Sequence, residues 1–570
     1  MPTPKKKRNK EKILIYQMLV RLFGNANATC KQNGTLAENG CGKMNDIDTV
    51  ALRSIRQLGC NYVWYTGLLQ QATQTDWSAY GVPRQNRYVV KGVAGSPYAI
   101  TDYYSVSCEL ATDPARRMEE FDALVERTHR VGMKVIIDFV PNHVARGYRS
   151  AACPEGVRDL GADDDRTRAF DAQNNFYYLP GEAFSPQFSL GEGEERYVEE
   201  PARVTGNDCF HAHPGVGDWY ETVKLNYGVD YQGGGRTHFE PVPSTWRKML
   251  DILLFWAARG VDGFRCDMAG MVPVEFWHWA IARVKRAHRG VIFIAELYEP
   301  DRYRSYIDYG GFDYLYDKVG LYDTLRAVVE GRRPACEIAW AWQSLEGIQD
   351  RMLNFLENHD EQRVASDFFA GDACKGRPAL VVSALMNVNP FMLYFGQELG
   401  ERGMDEEGFS GRDGRTTIFD YWSLPTMRVW MGSDRKWRRN VMRVGMRRLR
   451  EYYTRVMEVA ARESVARGSF YDVTYANLDN PQFDARSCYA FLRGGKEEVL
   501  VVVANFGDED KDLGLRVPEE AWRYVGITTQ RRRIANLLTG KWDFGLHDTA
   551  QPLPVRVAAH DAVVLRLQRR

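Results

Sequence analysis

The chain has no net charge: its 570 residues include 75 lysines and arginines against 75 aspartates and glutamates. A balanced chain offers no broad cationic surface to a polyanion, so no nucleic-acid partner is expected. Also missing is any run near the ~20 apolar residues that cross a bilayer, and no membrane partner is expected. The ten cysteines form no CxxC pair, with Cys266 inside an apolar run and Cys60 just behind a helix pattern. Scattered thiols of this kind fit a reducing compartment, and a cytoplasmic location is expected. No Cys/His set has zinc spacing, no Gly-rich loop opens a helix to cradle phosphate, and no GxSxG elbow occurs. The N-terminal KKKRNKEK, ILIYQMLVRLF and ANA have the outline of a secretory signal, but Gln17 and Arg21 interrupt the apolar stretch. A short solvated basic tail leading into a first strand is the better reading.

What is present is regular. Apolar runs rich in β-branched residues alternate with helix-period segments, and eight of the runs read as strands. They are ILIYQML (13–19), NYVWY (61–65), KVIID (134–138), VDGFRCD (261–267), VIFIAE (291–296), FDYLY (312–316), LNFLENHD (353–360) and FMLYF (391–395). Between them lie helix patterns, one with Ala51, Leu52, Ile55 and Leu58 on one face, others over roughly 114–131, 273–288 and 376–387. Ser244 is placed to cap another. Eight strand–helix units predict a closed (β/α)₈ TIM barrel over residues 1–140 and 241–465. Residues 141–240 are rich in Gly, Pro, Asn and Asp and read as an irregular inserted subdomain after the third strand. A long amphipathic helix near 434–462 leads into residues 466–570, which read as an antiparallel β-sandwich.

Four of the apolar strands end in carboxylates: Asp138, Asp267, Glu296 and Asp360. An unpaired carboxylate is costly to bury, but a strand end in such a barrel opens onto the catalytic mouth. Arg265, His143 and His359 lie close to these ends in sequence. Two carboxylates flanking one bond is the arrangement that glycoside hydrolysis needs, one ionised to attack and one protonated to donate. Arg265 is two residues before Asp267, so both point to one side of the strand, where the cation is expected to keep Asp267 ionised. Taken singly, each such Asp has a plain alternative as a cap or ion-pair partner.

The chain resembles the α-amylase superfamily, glycoside hydrolase family 13. DFVPNH (138–143), GFRCD (263–267), AELYEP (295–300) and ENHD (357–360) match its four ordered motifs, and YFGQELG (394–400) its last barrel strand and loop. The resemblance implies Asp267 as nucleophile, Glu296 as general acid/base and Asp360 as transition-state stabiliser. It implies sugar contacts from Tyr98, His143 and His359, with Arg265 orienting the nucleophile and Asp138 structural. Arg363 stands open between a neighbouring sugar subsite and an ion pair with Glu361. The substrate implied is an α-1,4-glucan such as starch, glycogen or maltodextrin, cleaved with retention. The alternatives are a 4-α-glucanotransferase or maltosyltransferase on the same substrates, and a non-catalytic sugar-binding member.

Two departures from the family stand out. Where many starch-degrading members carry a Lys-His pair on the leaving-group side, this chain has Gly270 and Met271. Members that bind calcium use the Asn of the first motif, here Asn142, and an Asp that TVKLN (222–226) replaces with Lys224. Calcium takes several carboxylate or carbonyl oxygens, so an ammonium there implies no cofactor and no metal.

Overall fold

The computed structural model describes residues 11–345, 347–437, 442–528, 531–539 and 546–568. The basic tail read at residues 1–10 lies outside them. Eight parallel strands close into a barrel: β1 (Leu14–Leu19), β2 (Tyr62–Thr66), β3 (Lys134–Phe139), β4 (Gly263–Cys266), β5 (Ile292–Ala295), β6 (Tyr314–Tyr316), β7 (Met352–Phe355) and β8 (Phe391–Tyr394). Each strand neighbours the next in sequence, and β8 returns to pair with β1. Side chains alternate along a strand, so every second residue points into the barrel. The interior is filled by Ile15, Trp64, Ile136, Ile294, Phe355 and Met392, among others. On β4 the inward positions are Gly263 and Arg265. Glycine is required at the first, because a Cβ would lie 2.7 Å from Ile292 Cγ1.

The outer helices form as their apolar faces dictate. Thr49–Leu58 starts where Asp48 accepts from the Ala51 N–H, buries Ala51, Leu52, Ile55 and Leu58, and stops at Gly59 in the left-handed conformation. Helices Arg117–Arg130, Val274–Ala287 and Arg377–Leu385 occupy the other patterned segments. The helical segment expected after residue 300 is present, running from Pro300–Arg302 through Tyr303 and Arg304 into the wider turn Ser305–Tyr309. Two details differ from expectation. Ser244 is the first residue of helix Ser244–Ala258, behind Pro243, and its side chain caps nothing. The helix before the final domain spans Val444–Ala460, and residues 438–441 of the longer one expected lie outside the described residues.

Between β3 and β4 the chain makes short strands and turns around a small core of Tyr177, Leu179, Phe184, Ala202 and Val204. One of those strands, His143–Ala145, pairs antiparallel with Thr222–Lys224. The C-terminal region has a six-stranded antiparallel sheet backed by a two-stranded antiparallel ribbon, Lys511–Leu515 with Leu553–Val557. One sheet face, with Val499, Val501 and Val503, packs on that ribbon; the other, with Leu500, Val502 and Val564, joins the main core of the barrel. Arg493 ties the join, donating from the sheet to the carbonyls of Met386, Val465 and Gly468.

Candidate active site

The inward parity carries past the strand ends. Residues 136 and 138 share a side, as do 263, 265 and 267, and 292, 294 and 296, so Asp138, Arg265, Asp267 and Glu296 converge at the C-terminal mouth. Register adds to this, since Arg265 lies directly across from Asp138. Arg265 is the hub. Its Nη1 donates to Asp267 Oδ1 at 2.8 Å and stands 3.6 Å from Asp138 Oδ1, and its Nη2 lies 2.7 Å from Glu296 Oε1. Its Nε donates to the Tyr316 hydroxyl at 3.2 Å.

Glu296 is held at both oxygens. The Met268 N–H donates to Oε2 at 2.7 Å and the Tyr298 hydroxyl to Oε1 at 2.7 Å. Met268 is in the left-handed region, φ 42, which aims that N–H at the carboxylate. Asp267 is less satisfied: its Oδ2 is buried and has no hydrogen-bond partner. Burial, followed by the charge of Glu296, pushes the Asp267 carboxyl well above the usual carboxylate range, against the pull of Arg265. The expected pull of the Arg265 cation on Asp267 is present but opposed. The cation is in contact, but desolvation and a second carboxylate on the same guanidinium outweigh it.

Asp360 is the open member of the set, its side chain 43% exposed, with Oδ2 at 3.1 Å from His359 Nε2. Gln17 Nε2 donates to His359 Nδ1 at 2.9 Å, which leaves the ring proton on Nε2, toward Asp360 and the Tyr98 oxygen at 2.5 Å. The Tyr98 hydroxyl donates on to Asp138 Oδ1 at 3.4 Å, and its ring lies over His359 with centroids 5.2 Å apart. Asp138 also accepts from Trp64 Nε1 and the Gly67 N–H, so it acts as a fixed anchor below the site. The loop that presents Tyr98 passes Gly95, φ 74, where a Cβ would lie 1.7 Å from the Ala72 carbonyl oxygen. His143 accepts at Nδ1 from Asn142 and faces the Trp219 ring at 5.2 Å. Burial pushes both histidines down to about 3, His143 with help from Lys224 and Lys91, His359 with help from Arg265.

Arg363 is a correction. Its side chain is wholly buried, donating from Nη1 to Glu357 Oε2 at 2.9 Å and to the Phe395 carbonyl at 2.8 Å, and from Nε to Thr416 Oγ1 at 2.8 Å. It reaches neither the mouth nor Glu361, which instead accepts from the Tyr322 hydroxyl. The sequence reading also passed over Gln17, Trp64, Tyr298 and Tyr316. A glutamine and a tryptophan in otherwise apolar strands were the available signals.

On the far side of Glu296, a Cβ at Gly270 would meet Leu297 Cδ1 at 2.8 Å, Glu299 Oε2 at 2.9 Å and Arg302 Nη1 at 3.5 Å. Arg302 donates to the Tyr306 hydroxyl at 2.7 Å and is held there. This space therefore belongs to Glu299 and Arg302, and a longer side chain at position 270 would displace them. At the base of the insertion, Lys224 Nζ donates to Asn142 Oδ1 at 2.9 Å and pairs with Asp208 at 2.5 Å, fully enclosed. A cation of the chain already satisfies these oxygens, so the residues do not fit a calcium ion.

The family model described as alpha amylase, catalytic domain, matches residues 20–175, and that of the alpha amylase C-terminal all-beta domain matches residues 479–568. Both matches are to the alpha amylase family. The chain is 25% identical to alpha-amylase MalA of Haloarcula japonica over 64% of this chain and 42% of that protein. It is 32% identical to an alpha-1,4-glucan:maltose-1-phosphate maltosyltransferase of Cereibacter sphaeroides over 35% of this chain and 32% of that protein. The chain thus covers less than half the length of either relative. Among solved structures, an alpha-amylase from Geobacillus thermoleovorans complexed with acarbose superposes with a TM-score of 0.62 at 18% identity, over 98% of both chains. That likeness bears on the superfamily fold.

Proposed function

We propose that this chain is a retaining glycosidase that cleaves α-1,4-glucosidic bonds in starch, glycogen or maltodextrins. The observation that carries the reading is the grip of one guanidinium on two carboxylates at the strand ends, one of which keeps a buried oxygen without a partner. A single guanidinium fork holds its partners close enough for the ~5–5.5 Å carboxyl separation of retaining hydrolysis. Asp267 Oδ2 attacks the anomeric carbon while the bond to the leaving oxygen breaks and Glu296 gives that oxygen a proton. Water then attacks the glycosyl-enzyme, returns a proton to Glu296 and frees Asp267. Asp360, Tyr98, His143 and His359 contact the sugar that is cleaved.

The test is a pair of variants. Asp267→Asn abolishes turnover, and Glu296→Gln retains slow activity on substrates whose leaving group needs no proton, such as aryl maltosides. Near-normal turnover by the first variant overturns the assignment.

One observation favours a second reading, a glucanotransferase or maltosyltransferase. Glu299 and Arg302 occupy the space beside Gly270, a position that the family resemblance puts on the leaving-group side. Hydrolysis and transfer share both chemical steps and differ in the acceptor. Chromatography of products from one maltooligosaccharide separates them: only shorter chains mean hydrolysis, longer ones mean transfer.

The same proposal includes no metal cofactor, supported by Lys224 between Asn142 and Asp208, and a reducing compartment, supported by ten free thiols. Among the described residues, no helix is long and apolar enough to cross a membrane.

A further inference from the structure

A cavity of about 430 Å³ opens in the inserted region, and none of the catalytic or sugar-contact residues named above lines it. Its wall carries five arginines, Arg84, Arg146, Arg149, Arg166 and Arg203, against two carboxylates, Glu199 and Glu200. In a chain with no net charge this is a local excess of cations. The two deeper arginines share one carboxylate: Arg146 Nη1 and Arg203 Nη2 donate to the two oxygens of Glu199 at 2.8 and 2.7 Å. Arg146 is fully enclosed, yet its Nη2 has no hydrogen-bond partner. A buried guanidinium donor left open is costly, and such a group calls for an acceptor. At the rim, Arg84, Arg149 and Arg166 are exposed, and no side-chain hydrogen bond or ion pair joins them to another described residue. The rest of the wall is partly aromatic, with Tyr148, Phe176, Tyr178 and Tyr197. The hydroxyls of Tyr148, Tyr178 and Tyr197 are already committed to Asp159, Asp164 and Glu199, which leaves their rings as the contact surface.

From this arrangement we infer a second binding site, for a phosphate ester of a sugar. Planar guanidinium forks match phosphate oxygens bidentately, and three unpaired forks around one opening suit a dianion. Aromatic walls suit the sugar ring, and the volume suits a ligand of mono- or disaccharide size. Arg146 directly follows the strand His143–Ala145, so an occupant sits against the element that delivers His143 to the catalytic mouth. The proposal stands independently of the reaction assigned above, because the two sites share no residue.

The experiment is isothermal titration of the full-length protein with glucose 1-phosphate, inorganic phosphate and glucose. The expected result is one site for glucose 1-phosphate, weaker binding of inorganic phosphate, and no heat from glucose at this site. The Arg149→Ala/Arg166→Ala double variant, altered only at exposed side chains, is expected to lose at least ten-fold in affinity while its activity without ligand is unchanged. Arg84→Ala gives a second, independent reading at the rim. Absence of binding, or affinity untouched by all three substitutions, overturns the site. Equal affinity for inorganic phosphate overturns the sugar half of the proposal.

Discussion

Arg363 and Glu357 show that the partner of a side chain need not be its nearest opposite charge in sequence: Arg363 pairs with Glu357 and not with Glu361. Both are buried, and burial pushes the Glu357 carboxyl up to about 7 despite the adjacent guanidinium. Breaking a buried pair by removing one partner costs about 3–5 kcal/mol. Arg363→Met is therefore expected to lose about that much stability at pH 8, and less at pH 5, where Glu357 takes a proton and no charge is stranded. Urea unfolding at the two pH values measures this. An unchanged KM for maltooligosaccharides accompanies it, because Arg363 touches no sugar; a raised KM with intact stability would return it to the substrate. The histidines give a second expectation. Held near 3, His143 and His359 are neutral throughout pH 5–8, so neither contributes a limb to the pH–rate profile there. The limbs are assigned to the carboxylates that the proposed mechanism uses as nucleophile and acid. His143→Asn is expected to lower kcat/KM without moving either limb. A limb that shifts by a full pH unit in that variant would count against the assignment.

At the scale of elements, strand parity did most of the placing. Because successive side chains alternate, a carboxylate two residues beyond an inward apolar residue is also inward, and Asp138, Asp267 and Glu296 follow that rule. Segments without a period were less legible. The stretch after residue 300 is helical as expected, but its hydrogen-bond spacing changes along its length, from Pro300–Arg302 to Ser305–Tyr309, which no sequence period marks. The turn after β6 carries a further expectation. Asp317 is buried, accepts from the Leu321 N–H at 2.8 Å, and is pushed up to about 7 by desolvation. A carboxyl whose folded value exceeds its unfolded one stabilises fully below the unfolded value, and that stabilisation is lost as pH rises through the folded value. The window here runs from about 4 to about 7. Asp317→Asn keeps the acceptor and removes the charge, so its thermal midpoint is expected to fall less than the wild type's between pH 5 and pH 8. An equal fall in both proteins would show that Asp317 is not ionising in that range.

At the scale of the whole molecule, the barrel is joined to the other two regions by buried contacts. The C-terminal sheet shares its inner face with the barrel core, so neither surface is finished without the other. The insertion is pinned at its base by Lys224, which lies across the register from His143 and bonds Asn142 and Asp208. Burial lowers the Lys224 ammonium while Asp208 opposes the shift, and the bonds to its two partners keep the charge satisfied. EDTA is therefore expected to leave both the thermal midpoint and the activity unchanged. Lys224→Ala is expected to lower the midpoint by several degrees, since the buried Asn142 oxygen loses its donor. Activity lost in EDTA and restored by calcium alone would refute the role given to the ammonium.

The order of the strands, the carboxylates at their ends and the pairing of Arg265 with Asp267 followed from the chain alone. Each depends on a local period or on residues two positions apart, and local geometry is written in local sequence. Tertiary structure alone decided that Arg363 turns inward to Phe395 and Thr416, that Gln17 sets the His359 tautomer, and that five arginines surround one cavity. These contacts join residues tens to hundreds of positions apart, where no period links them and only the closed fold brings them within reach of a hydrogen bond.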